Sequence, residues 1–413
     1  MTTSTAPRTR RSWWLLGPAL VAGVAYLDPG NVATNMSAGA QFGYLLVWVV
    51  VLGNAMAWLI QYLSAKLGVV TGRSLSETLG SRFRSPWSRR LYWLQAELVA
   101  MATDVAEVIG GAVALWILFD IPLLVGGVIT SAVSMILLMV QTRGGAKPFE
   151  FVIIGLMAII AIGFTVGVFV APPDAGSVVA GLVPRFDGTS SVLLAASILG
   201  ATVMPHAIYA HSALARDRFH VGLEEAPVNR VPRLLRATKW DVTIALVIAG
   251  TVNLAILLLG AANLPGVPGT DSLEGAYAAL HDSLGGVIAT LFAVGLLASG
   301  LASTSVGAYA GSEIMQGLLR VRIPLLARRI ITLIPALAIL ALGYDPTTAL
   351  ILSQVVLSFG IPFALIPLVA LTAQNRTLGQ HRNRWWTTAI GIASSVFLIA
   401  LNALLLWLTF TGA

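Results

Sequence analysis

An aspartate, a proline, a glycine and an asparagine stand together in the middle of an apolar stretch long enough to cross a bilayer. Gly17-Pro18-Ala19-Leu20-Val21-Ala22-Gly23-Val24-Ala25-Tyr26-Leu27 leads into Asp28-Pro29-Gly30-Asn31, and Val32-Ala33-Thr34-Asn35 follows. Asp28 is costly in hydrocarbon, Pro29 removes a backbone donor, and Gly30 weakens any helix that contains it. A break of this kind survives in a membrane only where it lines a cavity inside the protein. Unwinding frees backbone carbonyls beside one carboxylate and one amide oxygen, half a shell for a hard divalent cation. The alternative is a short exposed loop between two ordinary helices.

The rest of the chain supports a membrane setting. Of 413 residues, 57% are apolar and 10% charged, with a mean hydropathy of +0.85, which identifies a polytopic membrane protein. The net charge of +7 does not point to nucleic acid, because the basic residues are scattered among short loops and not gathered on one soluble face. The absence of cysteine rules out disulfides and thiolate ligands. Arg8, Arg10 and Arg11 before Trp13-Trp14-Leu15-Leu16 resemble a secretory signal, but no small-residue cleavage site precedes Asp28. The first helix is therefore expected to be retained.

Apolar runs predict spans at 14–40, 44–67, 91–118, 122–140, 149–170, 190–215, 240–262, 285–318, 326–343, 348–371 and 385–410. That is an all-α chain of about eleven transmembrane helices with its termini on opposite sides. Of the 25 Lys and Arg residues, all but Lys66, at the inner end of the second span, and Arg185 fall in or beside the even-numbered loops and the N-terminal tail 1–12. The positive-inside rule then puts the N-terminus in the cytoplasm and the C-terminus outside. Asp120, Asp174, Asp187, Asp271, Glu274, Asp282 and Asp345 fall on the outer side, a hint of an acidic entrance for cations.

A second interruption, Leu199-Gly200-Ala201-Thr202-Val203-Met204-Pro205-His206, lies in the sixth span, five spans after the first. Five is odd, so the two broken helices run oppositely through the membrane. Broken helices at matching places in inverted halves point to a midplane binding site in a secondary transporter. One transporter domain covers 1–413, with repeats at 14–170 and 190–371 and an added helix at 385–410.

Glu97, Asp104 and Glu107 in the third span keep within an arc of roughly 80° on a helix. A carboxyl group away from water can take up and release a proton near neutral pH, so this stripe reads as a proton path. The competing reading is a buried ion-pair scaffold with Arg328 and Arg329, and one network can serve both purposes. Met204 stands one residue before a helix-breaking proline, where a thioether beside Asp28 and Asn31 discriminates softer transition metals from Mg²⁺ and Ca²⁺. His206 is read as a relay or gate, His211 as a structural residue or lining of the cytoplasmic vestibule, and Glu313 as half of a cytoplasmic ion pair. Gln354, in Ser353-Gln354-Val355-Val356-Leu357-Ser358-Phe359-Gly360 before Pro362, needs a polar partner, either the metal or a neighbouring carbonyl.

With Asp28-Pro29-Gly30-Asn31 and Met204-Pro205-His206 both present, the chain resembles the Nramp family of proton-coupled divalent-metal transporters, the bacterial manganese type in particular. The likeness extends through Ala100-Met101-Ala102-Thr103-Asp104-Val105-Ala106-Glu107 and through Gln354 to Pro362. It implies a LeuT-like 5+5 inverted repeat with helices 1 and 6 broken, alternating access, and a bacterial plasma-membrane location. The resemblance also implies Mn²⁺ as substrate, with Fe²⁺ and Cd²⁺, and metal coordination by Asp28, Asn31, Met204, the carbonyls of Ala201 and Ala25, and Gln354. Asp28, Asp104, Glu107 and His206 are implied in proton handling. No cofactor and no obligate protein partner are indicated; the expected partners are metal, protons and lipid.

Three other functions compete. A sodium-coupled amino-acid or amine carrier shares the architecture but ordinarily leaves the first break as glycine-rich backbone, unlike Asp28 with Met204. An intramembrane aspartyl protease needs two facing aspartates, and neither Asp28 nor Asp104 sits in a Gly-x-Gly-Asp setting, so the chain is not read as an enzyme. A passive channel has no need of two broken helices.

Overall fold

The computed structural model describes residues 17–144, 146–219, 230–321 and 324–411. The expectations for the tail 1–12, for the span start at 14 and for Arg322 lie outside the described residues. Every regular element among the described residues is helical.

The first break is built by the residues that announce it. Helix α1 (Pro18–Val24) continues into a 3-10 turn (Ala25–Leu27), and α2 (Pro29–Phe42) restarts after Asp28. Asp28 takes an extended conformation, φ −74° and ψ 164°, and its carboxylate accepts from the Asn31 amide at 2.8 Å. Aspartate at the cap followed by proline in the first turn is a strong helix-start signal, so the same dipeptide ends one helix and begins the next.

Helices α3 (Val47–Thr71), α4 (Leu75–Arg82), α5 (Pro86–Phe119), α6 (Leu123–Gly144), α7 (Ala146–Val170) and α8 (Ala175–Ala180) complete the first half. The second half begins with α9 (Gly188–Thr202) and α10 (Pro205–Phe219), the two pieces of the other broken helix. It continues through α11 (Arg230–Asn263), α12 (Leu273–Leu284), α13 (Gly286–Leu319), α14 (Leu325–Ala341) and α15 (Pro346–Ala373). Helix α16 (Asn375–Leu378), a 3-10 turn (Gly379–His381) and α17 (Trp385–Thr411) end the chain.

Among the described residues, eight helices are long and apolar enough to cross a membrane, and Pro18–Leu27 and Leu123–Leu137 are shorter apolar helices. Helix α5 starts five residues before the expected 91 because Pro86 opens a polar, exposed first turn that hydropathy alone omits. Helix α4 lies between the predicted spans 44–67 and 91–118, started by a reciprocal capping box with Ser74 N to Glu77 Oε2 at 2.7 Å and Glu77 N to Ser74 Oγ at 3.2 Å. Helix α5 packs along α13, α11 covers α2, α10 lies on α3, and α15 runs beside α9. Both breaks therefore lie in the interior, between α5, α11, α13 and α15.

Candidate metal site

Helix α9 ends at Thr202, Val203 and Met204 bridge the gap, and Pro205 opens α10. Ala25, Asp28, Asn31, Ala201, Met204 and Gln354 all have 0% exposed surface. The Asn31 side-chain amide donates to Asp28 Oδ1 at 2.7 Å and to the Ala201 carbonyl at 2.9 Å, so one residue of the first break bridges to the second. From α15, Gln354 Nε2 donates to Asp28 Oδ2 at 3.2 Å. The structure thus brings Asp28, Asn31, the Ala201 carbonyl and Gln354 together, and seats Met204 within the second break.

Two glycines make this convergence possible. A Cβ at Gly30 would stand 1.7 Å from Gln354 Nε2, and one at Gly200 would stand 1.9 Å from the Gln354 carbonyl. Helix α15 presses on both breaks, and only hydrogen fits between.

The freed carbonyls of the first break divide by fate. Asn253 of α11 donates to the Tyr26 carbonyl at 2.9 Å, and Ser299 of α13 donates to that of Leu27. These two carbonyls are held by the scaffold, as buried backbone polar groups must be. Neither Asn253 nor Ser299 was singled out from the sequence; the available signal was a polar side chain in an otherwise apolar run.

The donor set suits a divalent cation. Asn31 Oδ1 and Gln354 Oε1 are buried oxygens with no hydrogen-bond partner among the described residues, and Asp28 supplies a carboxylate beside them. Among the described residues there is no group of three or more His, Cys, Asp or Glu able to hold a metal ion. The groups that meet here are instead one carboxylate, two side-chain amides and a backbone carbonyl, with Met204 buried in the adjoining break. One carboxylate among neutral oxygens is a low ligand charge, which makes for weaker cation binding.

Beside the cradle, α5 and α14 form a buried ladder of charge. Arg328 donates to Glu97 at 2.7 Å, and Arg329 pairs with Asp104 and, at 3.1 Å, with Glu107. The ion-pair scaffold is present. Glu97 Oε2, Asp104 Oδ2 and Glu107 Oε1 are each buried with no hydrogen-bond partner among the described residues. A Cβ at Gly110 would lie 2.0 Å from the Pro29 ring, which sets the break against α5 one turn from Glu107.

His206 is buried, and its Nδ1 meets Thr103 Oγ1 of α5 at 3.1 Å. His211 Nδ1 meets Gln61 Oε1 of α3 at 2.7 Å, a structural contact between helices. Glu313 pairs with Arg216 at 3.2 Å. Two of the other acidic residues have local duties: Asp174 caps α8 through Ser177 N at 2.7 Å and Asp345 caps α15 through Thr348 N at 2.7 Å. The hydrogen bonds from Ser177 hold the Asp174 carboxyl below its ordinary range, whereas burial, with Asp345 nearby, raises that of Glu274.

Comparison with known proteins gives a consistent match. The family model described as Natural resistance-associated macrophage protein-like, Nramp, matches residues 19–408. The chain is 61% identical over 403 residues to the divalent metal cation transporter MntH of Mycobacterium tuberculosis, covering 98% of this chain and 93% of that one. It is 48% identical over 397 residues to the transporter of the same name from Bacillus subtilis, covering 96% and 92%. These relatives are named as transporters and not as enzymes. Among solved structures, an Eremococcus coleocola manganese transporter superposes with a TM-score of 0.84 at 32% identity, covering 97% of this chain and 88% of that one. MhsT, solved with L-phenylalanine, superposes with a TM-score of 0.59 at 13% identity, a likeness of fold alone that places the chain in the LeuT-like architecture.

Proposed function

This chain belongs to the Nramp family, and on that premise we propose that it is a secondary active transporter importing divalent transition metal ions, Mn²⁺ with Fe²⁺ and Cd²⁺, with proton coupling by alternating access. The observation that carries the reading is the meeting of Asp28, Asn31, the Ala201 carbonyl and Gln354 at two facing helix breaks, beside a buried carboxylate ladder.

Asp28, Asn31, Met204, Gln354 and the carbonyls of Ala201 and Ala25 bind the metal. Asp28 also stands at the head of the proton route, which continues through Glu107, Asp104 and Glu97, with Arg329 and Arg328 balancing their charge and His206 as relay or gate. Binding of a divalent cation disfavours a proton on Asp28, and the neighbouring carboxylates are where that proton goes. The protein is a multi-pass protein of the bacterial plasma membrane with eleven crossings, the N-terminus cytoplasmic and the C-terminus outside. Its repeats are 14–170 and 190–371.

The test is uptake into proteoliposomes of Mn²⁺, Fe²⁺, Cd²⁺, Mg²⁺ and Ca²⁺ at two external pH values. Uptake of the first three, faster with acid outside, supports the reading; equal entry of all five, insensitive to pH, contradicts it.

A further inference from the structure

The inner half of the first broken helix is pinned at its start by a residue more than two hundred positions away. Asp241 of α11 accepts from the Gly17 amide through Oδ1 at 3.1 Å and from the Ala19 amide through Oδ2 at 2.9 Å, and it is 2% exposed. Gly17 has no side chain with which to cap α1, so the first-turn amides are satisfied by a carboxylate from another helix. A carboxylate at this end also faces the positive pole of the helix, which strengthens both bonds.

Helix α1 is seven residues long, and its far end meets the extended backbone of Asp28. It is a short rod with a joint at the metal cradle and an anchor at the cytoplasmic end. Its side chains, Pro18 to Val24, carry no polar group, so their contacts with neighbouring helices are non-directional and can be exchanged in small steps. The two bonds to Asp241 are directional and must break when the rod swings away.

We infer that Asp241 is the latch of the cytoplasmic gate: its carboxylate holds α1 over the inner side of the cradle, and release of the two amides accompanies opening toward the cytoplasm. It is a positioning residue, since it acts on the metal path through α1. The inference rests on the alternating-access reading proposed above.

The chain contains no cysteine, so single reporters can be introduced directly. Ala22→Cys marks α1, where Ala22 is 1% exposed, and Ala112→Cys marks the α5 scaffold, where Ala112 is 0% exposed. In inside-out vesicles carrying the full chain, a membrane-impermeant methanethiosulfonate should label the Ala22→Cys reporter about tenfold faster with Asp241→Ala than with Asp241 intact. The Ala112→Cys control should not change. Asp241→Asn, which keeps one acceptor oxygen, should fall between. Ala19→Pro removes one of the two donors and should raise labelling by itself. Combined with Asp241→Ala it should add less than the product of the two effects, because both break the same contact.

Unchanged labelling in the Asp241 variants overturns the latch, as does a fully multiplicative double variant or a parallel rise at the Ala112 control. Mn²⁺ uptake by the unaltered chain, measured in the same vesicle system turned right-side out, separates the two readings. Faster labelling without any uptake sinks the transport reading, and uptake with unchanged labelling sinks the latch.

Discussion

Gln354 Nε2 lies 3.2 Å from Asp28 Oδ2, although 326 residues separate the two in sequence. The contact joins the first helix break to α15, and it depends on the absent side chain of Gly30. Gly30→Ala would put a Cβ 1.7 Å from Gln354 Nε2. The expected outcome is displacement of Gln354 and a loss of Mn²⁺ uptake of about a hundredfold, the scale of an ångström-sized misplacement. Gln354→Ala added to Gly30→Ala should recover part of that loss in the proteoliposome assay, since the clash is gone. A double variant no better than Gly30→Ala would show that the clash is not the cause.

Arg329 sits between Asp104 and Glu107 with 1% of its surface exposed. Arg329→Ala strands two buried carboxylates and should lower stability by about 3–5 kcal/mol, read as thermal unfolding in detergent. Asp104→Asn removes one charge while leaving the shape. It should flatten the pH dependence of uptake and leave Mn²⁺ binding mostly intact; loss of binding in folded protein would move Asp104 into the metal shell.

Beside α4, Arg216 bonds Glu77 at 2.8 Å and Glu313 at 3.2 Å. Burial alone would raise the Glu77 carboxyl, but hydrogen bonds from Ser74 and Arg216 and the Arg216 charge hold it below its ordinary range. A carboxyl lowered in the folded state stabilises the fold above its unfolded value, about 4.3, and that contribution disappears as pH falls through the folded value. Glu77→Gln should therefore lower the Tm slightly at pH 7, and the gap from the unaltered chain should close as the pH falls below the unfolded value and through the lower folded one. A gap that persists there would place the effect in packing and not in charge.

Much of the fold was legible because its signals are local. Asp28-Pro29 and Met204-Pro205 break helices wherever they occur, and the spacing of Glu97, Asp104 and Glu107 places them on one side of α5. The partners of Glu97, Asp104 and Glu107 were also foreseeable, since Arg328 and Arg329 are charges that a membrane interior tolerates only when paired. Asn253, Ser299 and Asp241 were not legible. Each is one polar residue in or at the end of an apolar helix, and nothing in the chain says which backbone group, hundreds of positions away, it will satisfy. The demands of Gly30 and Gly200 were hidden for the same reason: their neighbour is Gln354, known only once α15 is in place. Helix boundaries shifted where exposed polar turns extend a helix beyond its apolar run, as at Pro86.

Met204, buried in the second break, is proposed as the one soft donor among oxygens. Met204→Ala should keep Mn²⁺ transport measurable, weaken Cd²⁺ more, and raise the Ca²⁺ to Mn²⁺ transport ratio roughly tenfold at equal folded protein. Removal of a methionine that only fills space would lower stability and all transport together. An unchanged ratio returns Met204 to the packing residues.

The Asp28 carboxylate is proposed to bind the transported metal and to link it to proton movement. The most direct test is Mn²⁺ uptake by Asp28→Asn in proteoliposomes with acid outside, beside the unaltered chain at equal folded protein. The variant should fold correctly, with uptake nearly abolished at every external pH. Uptake by Asp28→Asn at the level of the unaltered chain would contradict it.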